Sequence, residues 1–189
     1  MASNTIHHGS GEIAIVRATA DDVPVVLNIL DATVKWLVSR GETTQWGTTP
    51  FPEVSRRTKQ LEEYATTGLG IWLAIKVADD TPIGQNQHSK GMNGGASRTI
   101  IGALAIRERV SHIPPVSEPE LYVQLVVTDR QWAGKGVGKR LLEHARDLAN
   151  EVGVALLRVD CYAGGDGISV QYYESHGFKR SGSFRLESG

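Results

Sequence analysis

The chain has 189 residues, a formal net charge of −1 and 40% hydrophobic residues; that is enough for one domain with its own core and argues against a general nucleic-acid surface. No apolar run reaches the length of a membrane span, and the opening MASNTIHHGSGE lacks the basic, apolar and small-residue order of a secretory signal. With Cys161 as the single cysteine, no intrachain disulfide can form, and the setting expected is intracellular and cytoplasmic.

In chain order, residues 1–11 read as a loose tail, whose His7 and His8 are too isolated to argue for a metal site. Residues 12–189 read as one domain. Glu12 to Ala20 alternates as a first strand. A helix follows, with Asp21 or Asp22 as cap, Pro24 in its first turn and its end near Gly41. A second, more polar helix is expected from about Pro52 to Thr67. GIWLAIKVADD and Thr99 to Glu108 are strands. Between them, residues 79–98 are polar and glycine-rich and are expected to form a long mobile hairpin loop. LYVQLVVTD, from Leu121 to Asp129, is β-branched and apolar throughout and reads as a buried strand. Val137, Leu141, Leu142, Ala145, Leu148 and Val152 lay an apolar stripe on the next helix, which Gly153 closes. VALLRVDCYA is a strand that takes in Cys161, ISVQYYESH a short helix ended by Gly177, and FKRSGSFRLE a final strand. Antiparallel hairpins come first and a βαβ unit later, so the class is mixed α/β (α+β) with a mixed central sheet.

The turn between LYVQLVVTD and its helix carries the chemistry. Gln131-Trp132-Ala133-Gly134-Lys135-Gly136-Val137-Gly138-Lys139 places three glycines and two lysines at a helix N-terminus, where backbone amides and the helix dipole bind anions. The spacing fails the dinucleotide pattern G-x-G-x-x-G, because Gly138 falls one residue short. It also fails the P-loop pattern, because Arg140 follows Lys139.

Gln131-x-x-Gly134-x-Gly136 resembles motif A of the GNAT superfamily of N-acetyltransferases. A second stretch, YYESHGF (Tyr172 to Phe178), resembles that family's closing motif, and the order of elements is the family's order along nearly the whole chain. The resemblance implies a GNAT-like fold whose fourth and fifth strands splay apart around acetyl-CoA. The pantetheine arm would lie along Leu125, Val126 and Val127, and the diphosphate on the amides of Trp132 to Lys139. Asp166 stands where the family often has an asparagine touching the cofactor arm, and Asp129 where it often has a proline.

By the same resemblance, Tyr173 is the general acid that faces the thioester sulfur, and Glu120 matches a general-base glutamate, with Glu118 or a water chain as alternatives. The reaction implied is direct acetyl transfer to a primary amine of a small molecule or peptide. The other reading is a GNAT-fold sensor that binds acetyl-CoA without turnover. Gln45, Trp46, Phe51 and Tyr122 are the acceptor-side candidates. No metal, nucleic acid or membrane partner is expected, and a homodimer stays open. The identity of the amine is not legible.

Overall fold

The computed structural model describes residues 13–50, 53–76, 99–110, 113–164 and 167–185. Phe51, Asp166, the tail over residues 1–11 and the loop over 79–98 lie outside the described residues.

Five strands form one sheet in the order β1-β2-β3-β4-β5. They are β1 (Ile13–Arg17), β2 (Ile71–Lys76), β3 (Thr99–Arg107), β4 (Glu120–Thr128) and β5 (Leu156–Val159). The first three pairings are antiparallel, and β4 with β5 is parallel. The helices are α1 (Val23–Ser39), α2 (Ser55–Thr66), α3 (Val137–Glu151) and α4 (Ile168–Ser175).

Each sheet face is covered because α1, α2 and α3 present apolar stripes. Val26, Leu30 and Val34 of α1 and Leu61 of α2 close one cluster over Leu73, Ala103, Ala105 and Val127. Leu141, Leu142, Ala145 and Leu148 of α3 close the other over Leu104, Leu121 and Val123, with Tyr172, Tyr173 and Phe178 packed against it.

Four local expectations change. The entry to α1 is a short 3-10 turn, Ala20–Asp22. There Asp22 reaches back and accepts from the Thr19 amide at 2.8 Å, so the carboxylate fastens the turn before the helix instead of capping α1 directly. The second helix starts at Ser55, not Pro52. β5 is only four residues long, so Cys161 lies beyond it. Residues 178–185 form no strand. Beyond Phe178 they are exposed and hold Phe184 as their single large apolar side chain, so pairing would bury little.

The ends of α3 and α4 are set by glycine. Gly153 has φ +71° and its amide bonds to Asn150, while that of Val154 bonds to Ala149. Gly177, at φ +84°, repeats the pattern at the end of α4: its amide bonds to Glu174 and that of Phe178 to Tyr173. Both are Schellman caps, which need the left-handed conformation glycine tolerates.

Candidate active site

The site begins with one surplus residue in β4. Ala105 pairs with Leu125 but Ile106 pairs with Val123, so Gln124 has no partner and forms a β-bulge. The strand alternates in space, yet its numbering changes parity there. Leu121 and Val123 pack on the α3 side before the bulge, and Val126 does so after it. Leu125 and Val127 pack on the α1 side.

The parallel pairing with β5 covers only Glu120 to Val123 and stops at the bulge. Bulging bends a strand and raises its twist. From Gln124 to Thr128 the outer edge of β4 is therefore not paired with a described strand, which leaves backbone groups available to an extended ligand.

At the end of that edge the chain turns into α3. Asp129 accepts from the Gln131 amide at 2.9 Å, so its side chain makes the turn a proline would otherwise fix. The amides of Trp132, Ala133 and Lys135 are bonded within the turn, to the carbonyls of Asp129, Arg130 and Trp132. The amides of Gly134, Gly136, Val137, Gly138 and Lys139 make no hydrogen bond among the described residues. Gly134 and Gly136 have φ of +75° and +77°, and a Cβ on either would meet only open space. Their glycines are thus required by backbone conformation, and the space above them is clear for an anion.

Positive charge surrounds the turn. Lys135 and Lys76 lie 4.5 and 5.3 Å from the centre of the Trp132 ring, Arg130 stacks 3.6 Å from that of Trp36, and Lys139 is 3.8 Å from Glu143. Free amides, a helix N-terminus and these cations fit a diphosphate. Gly138 has a different reason: a Cβ there would collide with the Tyr172 hydroxyl. Tyr172 is a site neighbour that sequence reasoning missed, although it stands next to Tyr173 in the closing motif.

Tyr173 sits on α4, held edge-on by Phe178, with ring centres 5.7 Å apart, and by Tyr172 at 5.4 Å. Arg146 of α3 donates to the His176 carbonyl and ties α4 down at its C-terminal end. Burial raises the Tyr173 pKa, and Cys161, Tyr172 and Asp160 add to the rise. The same causes, burial first and then Asp160, push the Cys161 thiol up. Cys161 is therefore a protonated, weakly nucleophilic thiol at neutral pH.

Glu120 starts β4, with its side chain 10% exposed and 2.7 Å from Arg158 Nη1. Four residue steps along the strand, about 13 Å at the usual rise, lead from it to Gln124. Tyr122 is 1% exposed and its hydroxyl donates to Asp160 Oδ1 at 2.7 Å. Burial and this bond raise its pKa. Asp160 was not singled out by sequence; it became visible only once β5 ended at Val159. On the loop between α1 and α2, Gln45 is exposed and Trp46 half-buried against the first core. The Trp46 carbonyl accepts from Arg57 at 3.0 Å.

The model of the acetyltransferase (GNAT) family matches residues 41–178. The chain belongs to the GNAT acetyltransferase family. Its fold resembles that of a GNAT-family acetyltransferase from Listeria monocytogenes, at TM-score 0.62 and 20% identity over 96% of this chain and 94% of that one. It also resembles the PaiA N-acetyltransferase of Thermoplasma acidophilum in complex with coenzyme A, at TM-score 0.64 and 14% identity over 92% and 93%. A third similar structure is an aminoglycoside 6'-N-acetyltransferase from Acinetobacter haemolyticus, at TM-score 0.57 and 15% identity over 93% and 97%. At these identities the structures support the fold, and the GNAT arrangement of mixed sheet and flanking helices is the one observed. Among the described residues no helix is long and apolar enough to cross a membrane, and no group of three or more His, Cys, Asp or Glu could hold a metal.

Proposed function

We propose that this GNAT protein is an N-acetyltransferase that moves an acetyl group from acetyl-CoA directly to a primary amine. The observation that carries the reading is the conjunction of five uncommitted amides on the glycine turn with the unpaired outer edge of β4 that leads into it. Gly134, Gly136, Val137, Gly138 and Lys139 would hold the diphosphate, and Leu125 to Val127 the pantetheine arm. The bound co-substrate supplies an activated acyl group whose leaving atom is a thiolate sulfur. The structure of coenzyme A bound to a protein of similar fold supports the choice of ligand.

An alkylamine has a pKa of about 10.4, so at pH 7 roughly one molecule in 2,500 is neutral, a deficit of about 4.6 kcal/mol. Glu120 is the proposed acceptor of the amine proton. Its distance along the strand from the bulge requires that the proton reach it through water. The amide of Val126 or Val127 would stabilise the charge that develops on the acetyl oxygen. Tyr173, protonated at neutral pH, would donate to the departing sulfur. Gln45, Trp46 and Phe51 are proposed to border the acceptor's path over α1 and α2. Tyr122 is buried, so its proposed part is to orient Asp160 and not to touch the amine.

The test is thiol release from acetyl-CoA against a panel of primary amines, with mass detection of the acetylated product. Amine-dependent release that falls in Tyr173→Phe is the expected result. Acetyl-CoA binding with no turnover on any amine would replace the transferase with a sensor.

A further inference from the structure

Across the sheet from α3 lies a polar cavity of about 170 Å³. Gln60, Glu63 and Tyr64 reach it from one face of α2, Arg107 and Arg109 from the end of β3, and Gln124 from the bulge itself. The bulge residue therefore belongs to two places: it releases the outer edge of β4 and it lines this cavity. Leu125 and Val127 share this side of the sheet with α1, whereas the glycine turn leads into α3 on the other side. An amine held here would approach the bulge from the face opposite the helix that is proposed to bind the diphosphate.

The lining is rich in donors and cationic by one charge. Arg107 lies 4.5 Å from the centre of the Tyr64 ring, and its nearest contact with Glu63 is 3.4 Å, long for a charge-assisted hydrogen bond. Arg109 is exposed and makes no ion pair among the described residues. Gln60 donates to the Tyr64 hydroxyl, whose own proton is then free for another acceptor. Burial raises the Tyr64 pKa, which keeps it a donor. An ammonium group entering here would find two guanidinium groups and a single carboxylate already facing one of them. A carboxylate would find the forked donors of arginine, whose geometry matches it. The volume is below the usual range for drug-sized ligands and suits a group of a few atoms.

We infer that this cavity is an acceptor subsite for a carboxylate, so that the favoured acceptors are small primary amines carrying a carboxylate, such as amino acids. The inference rests on the acetyl-transfer reading above for what happens to the amine, and on the cavity alone for what binds.

The experiment compares three amines of equal chain length at saturating acetyl-CoA: an ω-amino acid, a simple alkylamine and a diamine, in series of two to six carbons. 4-Aminobutyrate, butylamine and putrescine are the four-carbon set. We expect kcat/KM to fall in that order, by at least about tenfold between the first and the last. Arg109→Glu should erase or reverse the order, mainly through KM, while Arg109→Lys keeps it. Diamines used as well as amino acids at every length, or an unchanged order in Arg109→Glu, would overturn the inference. Calorimetry of the same amines on coenzyme A-saturated protein separates the two readings. Amino-acid binding that Arg109→Glu abolishes, without turnover, would keep the subsite and remove the transferase. Absence of preferential amino-acid binding would overturn the subsite even if some other amine is acetylated.

Discussion

Tyr173 carries its proton at neutral pH because its ring is packed among Phe178, Tyr172 and the second core. The ordinary tyrosine pKa is about 10 and burial raises it here, so the donor is protonated across the range where the amine needs deprotonation. Tyr173→Phe keeps the packing and removes the proton. We expect kcat to fall about 10²–10⁴-fold with little change in KM for acetyl-CoA; steady-state kinetics from pH 6 to 10 would show it. A wild-type kcat in a chemistry-limited assay would return Tyr173 to packing. At this scale the sequence named Tyr173 and the glycines of the turn, because each sits in a contiguous motif. It did not name Tyr172 or Asp160. Tyr172 matters through Gly138, and Asp160 through Tyr122, which is 38 residues away along the chain.

Among the elements, α4 is short and depends on its cap. Gly177 at φ +84° lets the Phe178 amide reach the Tyr173 carbonyl, so one backbone bond joins the cap to the proposed acid. Gly177→Ala should cost about 1–2 kcal/mol of stability, the penalty for a side chain in the left-handed region. It should lower kcat while acetyl-CoA affinity holds; equal kcat in the folded variant would separate the cap from catalysis. Helix α3 carries a different signature. Nε2 of His144 is buried with no hydrogen-bond partner among the described residues, its ring lies 4.3 Å from that of Trp72, and burial holds its pKa below the usual 6.5. Between that lowered value and 6.5 the unfolded chain binds a proton that the native chain does not. This contribution is therefore complete above pH 6.5 and is lost as pH falls through the window. Thermal midpoints of wild type and His144→Leu from pH 7.5 to 5 should diverge, with the variant less sensitive; parallel curves would refute this. Periodicity read the long elements well. It failed for residues 178–185 because a strand's edge is decided by what it would bury, and two phenylalanines seven positions from end to end give no alternating face.

For the whole molecule the expected observable is ligand-linked stability. A hundredfold excess of acetyl-CoA over Kd should stabilise the native state by about 2.7 kcal/mol, or about 5 to 10 °C in a chain of this size. In Gly136→Val the new side chain meets open space but sits at φ +77°, so the variant should fold with a stability cost of about 1–2 kcal/mol and lose that shift. A retained shift would show that the phosphates bind elsewhere. The order of elements made the global fold legible, since β-α-α followed by antiparallel strands and one βαβ unit leaves few topologies. The acceptor cavity was not legible. Its six polar residues come from α2, the end of β3 and the β4 bulge, and no local pattern links residue 60 to residue 124.

Gln124 can be viewed as a wedge whose removal is a one-codon experiment. On either side of it the side chains already alternate correctly between the two cores, so excising it keeps both cores in phase and removes only its own side chain from the cavity. The shortened strand would run straight, and the parallel ladder with β5 could zip past Val123. Such a protein should be a more regular sheet with nowhere to lodge a ligand. Amides of residues 125–127 would exchange with deuterium more slowly than in the parent, and acetyl-CoA would no longer raise the thermal midpoint. If the deletion mutant still bound acetyl-CoA, the gap beside β4 would owe its existence to the end of β5 alone. If binding is lost with it, the imperfection in the strand is the residue this protein keeps in order not to close.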